Sequence, residues 1–149
     1  MFLLLIINPI ERPRLEYSNT PFSMIERAFD RTLEISYDYT NNSGILNNQI
    51  PQTRQRDELF GRTRAQLSMQ RNSILTILNN NPNLRIPQHF RDLNDRFLNG
   101  VRNSRRSIED LPRATNPDRL ELHSLYVEFL TQQEGIFSLI ESHASAQNN

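Results

Sequence analysis

Apolar side chains recur at intervals of three and four residues in four stretches of the chain, and that spacing predicts four amphipathic helices. The first covers about Pro21–Tyr37, where Phe22, Ile25, Phe29 and Leu33 make one stripe. Thr20 is suited to cap it, and Pro21 falls at the first helical position, where a missing N–H costs nothing. The polar run Asp38–Gly44 is expected to end it in a loop reaching about Pro51.

The second predicted helix, about Thr53–Asn79, presents Phe60, Thr63, Leu67, Ile74 and Leu78 on one face, widened by Leu59 and Ile77. Asn79–Asn83, with Pro82 inside it, stops the helix. The third, about Pro87–Asp110, has the most regular pattern. Phe90, Leu93, Phe97, Val101, Ser104, Ile108 and Leu111 follow a heptad-like seam. The fourth opens on Asn116-Pro117-Asp118, a cap, a proline and an acid that suits the helix dipole, and continues to about Ser142. Its apolar arc is wide. Leu122, Leu125, Phe129, Ile136, Leu139 and Ile140 form the centre, with Tyr126, Leu130 and Phe137 beside them, so this helix is either central or doubles as an interface.

These elements predict an all-α fold over a single domain, residues 1–149. It is an antiparallel bundle of three long helices plus one shorter helix, the first, joined by short loops. The apolar run Met1–Ile7, followed by Asn8-Pro9, has no basic flank and no small-residue cleavage site, and it is too short to span a bilayer. It predicts an extended arm over residues 1–19, packed on the helices or used for self-association. Ala144–Asn149, and with them the tail from residue 143, are expected to fray. Gly61, Gly100 and Gly135 fall inside predicted helices, where close helix approach or a kink would account for them.

Composition narrows the chemistry. Cysteine is absent, which removes disulfides, thiolate metal sites and cysteine nucleophiles. His89, His123 and His143 are the only imidazoles, and none has metal-ligand spacing with a partner. His89 precedes Asp92 by three residues, a local hydrogen bond at most. With four glycines there is no phosphate-cradling loop, and no G-x-S-x-G elbow occurs. No cofactor and no metal are expected. A site of Arg, Glu and Tyr scattered over the helices is the one catalytic reading left, and it names no residues.

Charge is neutral overall but unevenly placed. Residues 54–106 carry eleven Arg against Asp57, Glu58, Asp92 and Asp95, a net of +7, whereas residues 107–149 carry −5. Either the second and third helices face acidic neighbours, or they form a basic surface for a partner. On the third helix Arg91, Arg102, Arg105 and Arg106 share one side, and Leu98 among them is the candidate apolar anchor of a partner-binding site. The arginines of the second helix scatter round its axis.

All seventeen basic side chains are arginine; lysine, about nine of which a chain this long would carry, is absent. Codon bias in a GC-rich genome does not account for this, because Asn and Ile, favoured by AT-rich coding, number seventeen and thirteen. Arginine keeps the charge and offers no ε-amine for ubiquitin. The sequence therefore predicts a non-enzymatic helical interaction module, a binder, inhibitor or adaptor. Its partner is another protein, with a member of a ubiquitin pathway and a homo-oligomer as the options. It would act as a bacterial or viral effector in the cytoplasm of a eukaryotic host cell. Nucleic-acid binding through the same arginines is the alternative.

Overall fold

The computed structural model describes residues 19–46, 53–111 and 116–147. Four helices account for nearly all of them: α1 (Pro21–Asn42), α2 (Thr53–Asn80), α3 (Gln88–Glu109) and α4 (Pro117–Ala146). Among the described residues there is no strand, and no described helix is long and apolar enough to cross a membrane. The expected arm over residues 1–19 lies outside the described residues, save Asn19.

Two predicted caps form as their chemistry requires. Thr20 Oγ1 accepts from Ser23 N at 3.2 Å while Ser23 Oγ donates to Thr20 O at 2.9 Å. Asn116 Oδ1 accepts from Asp118 N and Arg119 N at 2.9 and 3.3 Å. Both satisfy N–H groups that a helix start leaves without partners.

The expected division into three long helices and a shorter first one is corrected. α1 has 22 residues, as α3 does, and α2 and α4 are the longer pair with 28 and 30. α1 runs into the predicted loop because its inward face continues through Tyr39, Thr40 and Ser43, which are buried, while Asp38, Asn41 and Asn42 face solvent. The serine and threonine hydroxyls on that face are satisfied by their own helix. Thr32 Oγ1 donates to Ala28 O at 2.8 Å, Ser36 Oγ to Thr32 O at 2.7 Å and Thr40 Oγ1 to Ser36 O at 2.9 Å. Hydroxyls bonded back to the carbonyl one turn earlier hide their polarity, so the core-facing side of α1 looks polar in sequence and is not in effect. Gly44, at φ 87°, then ends the element in the left-handed conformation that glycine alone adopts cheaply.

The far end of the chain is corrected too. Residues 143–146, expected to fray, are the last turn of α4. Ala144 is buried, His143 Nε2 donates to Leu84 O at 2.6 Å, and Gln147 Nε2 donates to Pro82 O at 2.6 Å. These bonds tie the end of α4 to the segment between α2 and α3.

Close backbone packing joins α3 to α4, α1 to α2 and α2 to α4. α2 and α3, neighbours in sequence, do not pack this way among the described residues. α4 therefore stands between them, and most of its wide apolar arc faces the core: Leu122, Tyr126, Phe129, Leu130, Ile136, Phe137 and Ile140 are buried, and Leu125 and Leu139 are half-buried against them. Of the two roles open to that arc, the central one is observed.

Two aromatic clusters fill the interior. Phe22, Phe29, Phe90, Phe97 and Phe137 meet at one end, with centroid separations of 4.9–5.8 Å, mostly edge-to-face or tilted. Tyr39, Phe60, Tyr126 and Phe129 meet at the other, at 4.5–6.2 Å. Ring pairs run in opposite order along α1 and α4, Phe29 with Phe137 and Tyr39 with Tyr126. They run in the same order along α1 and α3, Phe22 with Phe90 and Phe29 with Phe97.

Gly61 and Gly135 do not mark close helix crossings. A Cβ built at either meets nothing within 4 Å.

Candidate functional site

The expected partner-binding edge of α3 lies along α4. Arg105 reaches Glu134 at 2.7 Å and Glu109 at 3.9 Å, Arg102 approaches Glu134 at 3.9 Å, and Arg91 donates to Ser145 Oγ at 3.4 Å. Beside them Asn94 Nδ2 donates across the seam to Phe137 O at 2.9 Å. Leu98, the proposed anchor among these arginines, is 3% exposed and part of the core. That assignment is corrected: α4 covers this edge, so Leu98 already has its apolar partners. Of the five residues, Arg91 and Arg105 are half-buried, Arg102 is exposed near Glu134, and Arg106 is exposed without a described partner.

The largest fully buried side chain among the described residues is a cation. Arg56, on the inward face of α2, is 1% exposed. Its guanidinium donates to Glu121 at 2.8 Å and to the Asp118 carbonyl at 3.3 Å, with the Asp118 carboxylate at 3.7 Å. Nε has only Asp57, at 3.7 Å, and makes no hydrogen bond. A charge removed from water needs such counter-charges, and the first turn of α4 supplies two of them. The sequence carried a signal for this position: Arg56, Phe60, Thr63 and Leu67 step by four, three and four along one face.

Near Arg56 sit two buried phenols. Tyr126 Oη is 3.0 Å from Thr40 Oγ1, whereas Tyr39 Oη has no hydrogen-bond partner among the described residues. Burial pushes both hydroxyls well above the usual tyrosine range; for Tyr39 the neighbouring Tyr126 adds to this and Arg56 opposes it. Both stay neutral at any physiological pH and so hold no poised proton. The imidazoles are dispersed. His89 is exposed on α3, His143 is bonded to Leu84 O, and burial together with Arg119 lowers the pKa of His123. No group of three metal-ligating side chains converges among the described residues.

A different surface has the free charge. From Leu59 to Arg91 the chain has no acidic residue and five arginines. Arg62, Arg64 and Arg71 on α2 and Arg85 after it are exposed and make no ion pair or hydrogen bond with described residues. Met69, at 64% the most exposed large hydrophobic residue described, stands among the three on α2. α2 packs on α1 and α4 and leaves its whole outer side to solvent. Sequence reasoning passed over this side because its arginines do not line up on one stripe. What the structure adds is that they share a broad face with no acid on it beyond the first turns of α2, where Asp57 and Glu58 pair with Arg56 and Arg54.

The chain matches no protein family, no curated protein and no solved structure.

Proposed function

We propose that the chain is a non-enzymatic helical protein-interaction module, an antiparallel bundle that presents the outer face of α2 to another protein. The observation that carries this reading is the acid-free stretch of that face after Glu58, with Arg62, Arg64, Met69 and Arg71 exposed and the three arginines without described partners. Arginine and methionine are enriched where proteins meet, and guanidinium groups that lack an internal counter-charge are available to an acidic surface. The arginines first singled out on α3 are less suited to the role, because Arg91 and Arg105 already bond to α4.

A photo-crosslinking residue placed at Ala65, on the α2 face, tests the choice of surface against the same residue at Asn99 on α3. In the native cellular setting Ala65 should yield a discrete protein adduct that survives nuclease, and Asn99 should not. Adducts from Asn99 alone would move the contact to α3. Adducts from Ala65 that vanish with nuclease would make the module a nucleic-acid binder.

The lysine-free composition supports a setting for the module: the cytoplasm of a eukaryotic host cell, where a bacterial or viral effector without ε-amines escapes ubiquitin conjugation. Arg85, Arg96 and Arg106 are exposed and lack described partners, so lysine at these positions leaves the fold alone. The triple variant should be cleared faster than the parent in such cells, and proteasome inhibition should erase the difference. Equal half-lives with no ubiquitin conjugates would sink this part of the reading.

A further inference from the structure

We infer that the partner element seated on α2 is an acidic amphipathic helix laid along it; the inference rests on the reading of α2 as the contact face. The charge comes first. Three exposed arginines lie within ten residues of helix with no acid among them, so the complementary surface is acidic.

Their placement gives the shape of that surface. Arg64 and Arg71 are seven residues apart and stand on one line, about 10.5 Å from each other along the axis. Arg62 and Met69, also seven apart, stand on a second line. Between the lines run Gly61, Ala65, Ser68 and Asn72, stepping by four, three and four, all exposed. Small side chains flanked by heptad-spaced arginines form a floor that larger residues of a facing helix can enter. The arginines then meet its flanking positions as they do across a coiled-coil seam.

Met69 decides between classes of macromolecule. A phosphate backbone offers nothing apolar to cover it, whereas a helix with Leu or Ile along its seam does. A second copy docked through the same face would set arginine against arginine, which excludes the isologous dimer.

The probes are a peptide of about three heptads with Leu at its seam and Glu at its flanks, the same peptide with Lys for Glu, and a short DNA duplex. Binding to the full chain is followed by fluorescence anisotropy. The acidic peptide should bind, and the double variant Arg64→Glu/Arg71→Glu should weaken it by about tenfold or more. The lysine peptide should bind that variant in preference to the parent. Because both arginines are exposed and lack described partners, the variant should keep the parental circular dichroism and melting temperature. No binding of the acidic peptide, or binding indifferent to both charge reversals, would overturn the inference. Preference for the duplex would overturn it as well. If the Ala65 crosslink still captures a protein in that case, α2 remains the contact face and only the acidic helix is lost. If Ala65 captures nothing, the face itself is wrong.

Discussion

The two ends of the core are built on different principles. At one end five phenylalanines from α1, α3 and α4 pack ring against ring. At the other, Tyr39 and Tyr126 replace phenylalanine, Thr40 bonds to one of them, and the guanidinium of Arg56 is sealed beneath the first turn of α4. The phenylalanine end is held by burial and ring contacts, which are insensitive to pH and tolerant of small shifts. The tyrosine–arginine end is directional: the Arg56 guanidinium meets Asp118 and Glu121 in one register of α2 against α4 and loses them in others. One end supplies cohesion, and the other selects which arrangement coheres.

That contrast can be broken most forcefully at the phenylalanine end. Phe137 touches both Phe29 and Phe97, and Phe137→Ala should cost about 3–5 kcal/mol in chemical denaturation. A cost below about 1 kcal/mol would mean that this end is not the cohesive one.

At the other end, Glu121→Gln should cost about 1–3 kcal/mol, because it leaves a buried cation short of one counter-charge. Arg56→Met removes the cation itself and should cost less than Glu121→Gln, or nothing. The reverse ranking would make the ion pair a source of stability instead of register. The same variants separate the roles in another way, since Arg56→Met should broaden the amide spectrum near α2 and Phe137→Ala should not.

Alkali should act on the tyrosine end alone. Tyr39 and Tyr126 have folded pKa values raised above the unfolded value of about 10. The folded state therefore holds protons that the unfolded chain releases. Their contribution is intact below about pH 10 and falls above it, by about 1.4 kcal/mol per pH unit for each phenol. Stability of Tyr126→Phe should show half that slope. Unchanged slope would place the titration elsewhere.

The smallest effect sharpens the comparison within the tyrosine pair. Tyr126→Phe forfeits the bond to Thr40 and should cost about 0.5–1.5 kcal/mol. Tyr39→Phe removes a buried hydroxyl with no described partner and should be neutral or slightly stabilising. A loss at Tyr39 equal to that at Tyr126 would mean that its hydroxyl has an acceptor after all.

How far such features were legible in the sequence depends on whether a residue's partner is local. Helix starts at Thr20 and Asn116 are local events between a side chain and the next turn, and both were readable. The apolar faces of α3 and α4 were readable for the same reason. The continuation of α1 past Tyr37 was not, because its buried threonines and serines look like loop formers unless one knows which face they occupy. Leu98 failed in the opposite sense. Its helical-wheel position beside arginines was correct, but a wheel knows nothing of the neighbouring helix, and Glu134 brings α4 over that edge. Arg56 was counted as one of several scattered arginines, since its burial depends on Asp118 and Glu121, more than sixty residues away. The bare outer face of α2 is likewise defined by which helices do not cover it.

The position of α4 also bears on how the protein is made. Both α2 and α3 lean on it, and its Phe137, Tyr126 and Phe129 complete the rings that begin on α1. A ribosome delivers it after the other three. Until it emerges, α1 and α2 can pair and α3 has only the rings of Phe22 and Phe29 on α1 to meet, while the guanidinium of Arg56 lacks the counter-charges of Asp118 and Glu121. Completion of the core therefore waits for α4 to leave the ribosome, and until then the apolar faces of α1, α2 and α3 that α4 covers stay open.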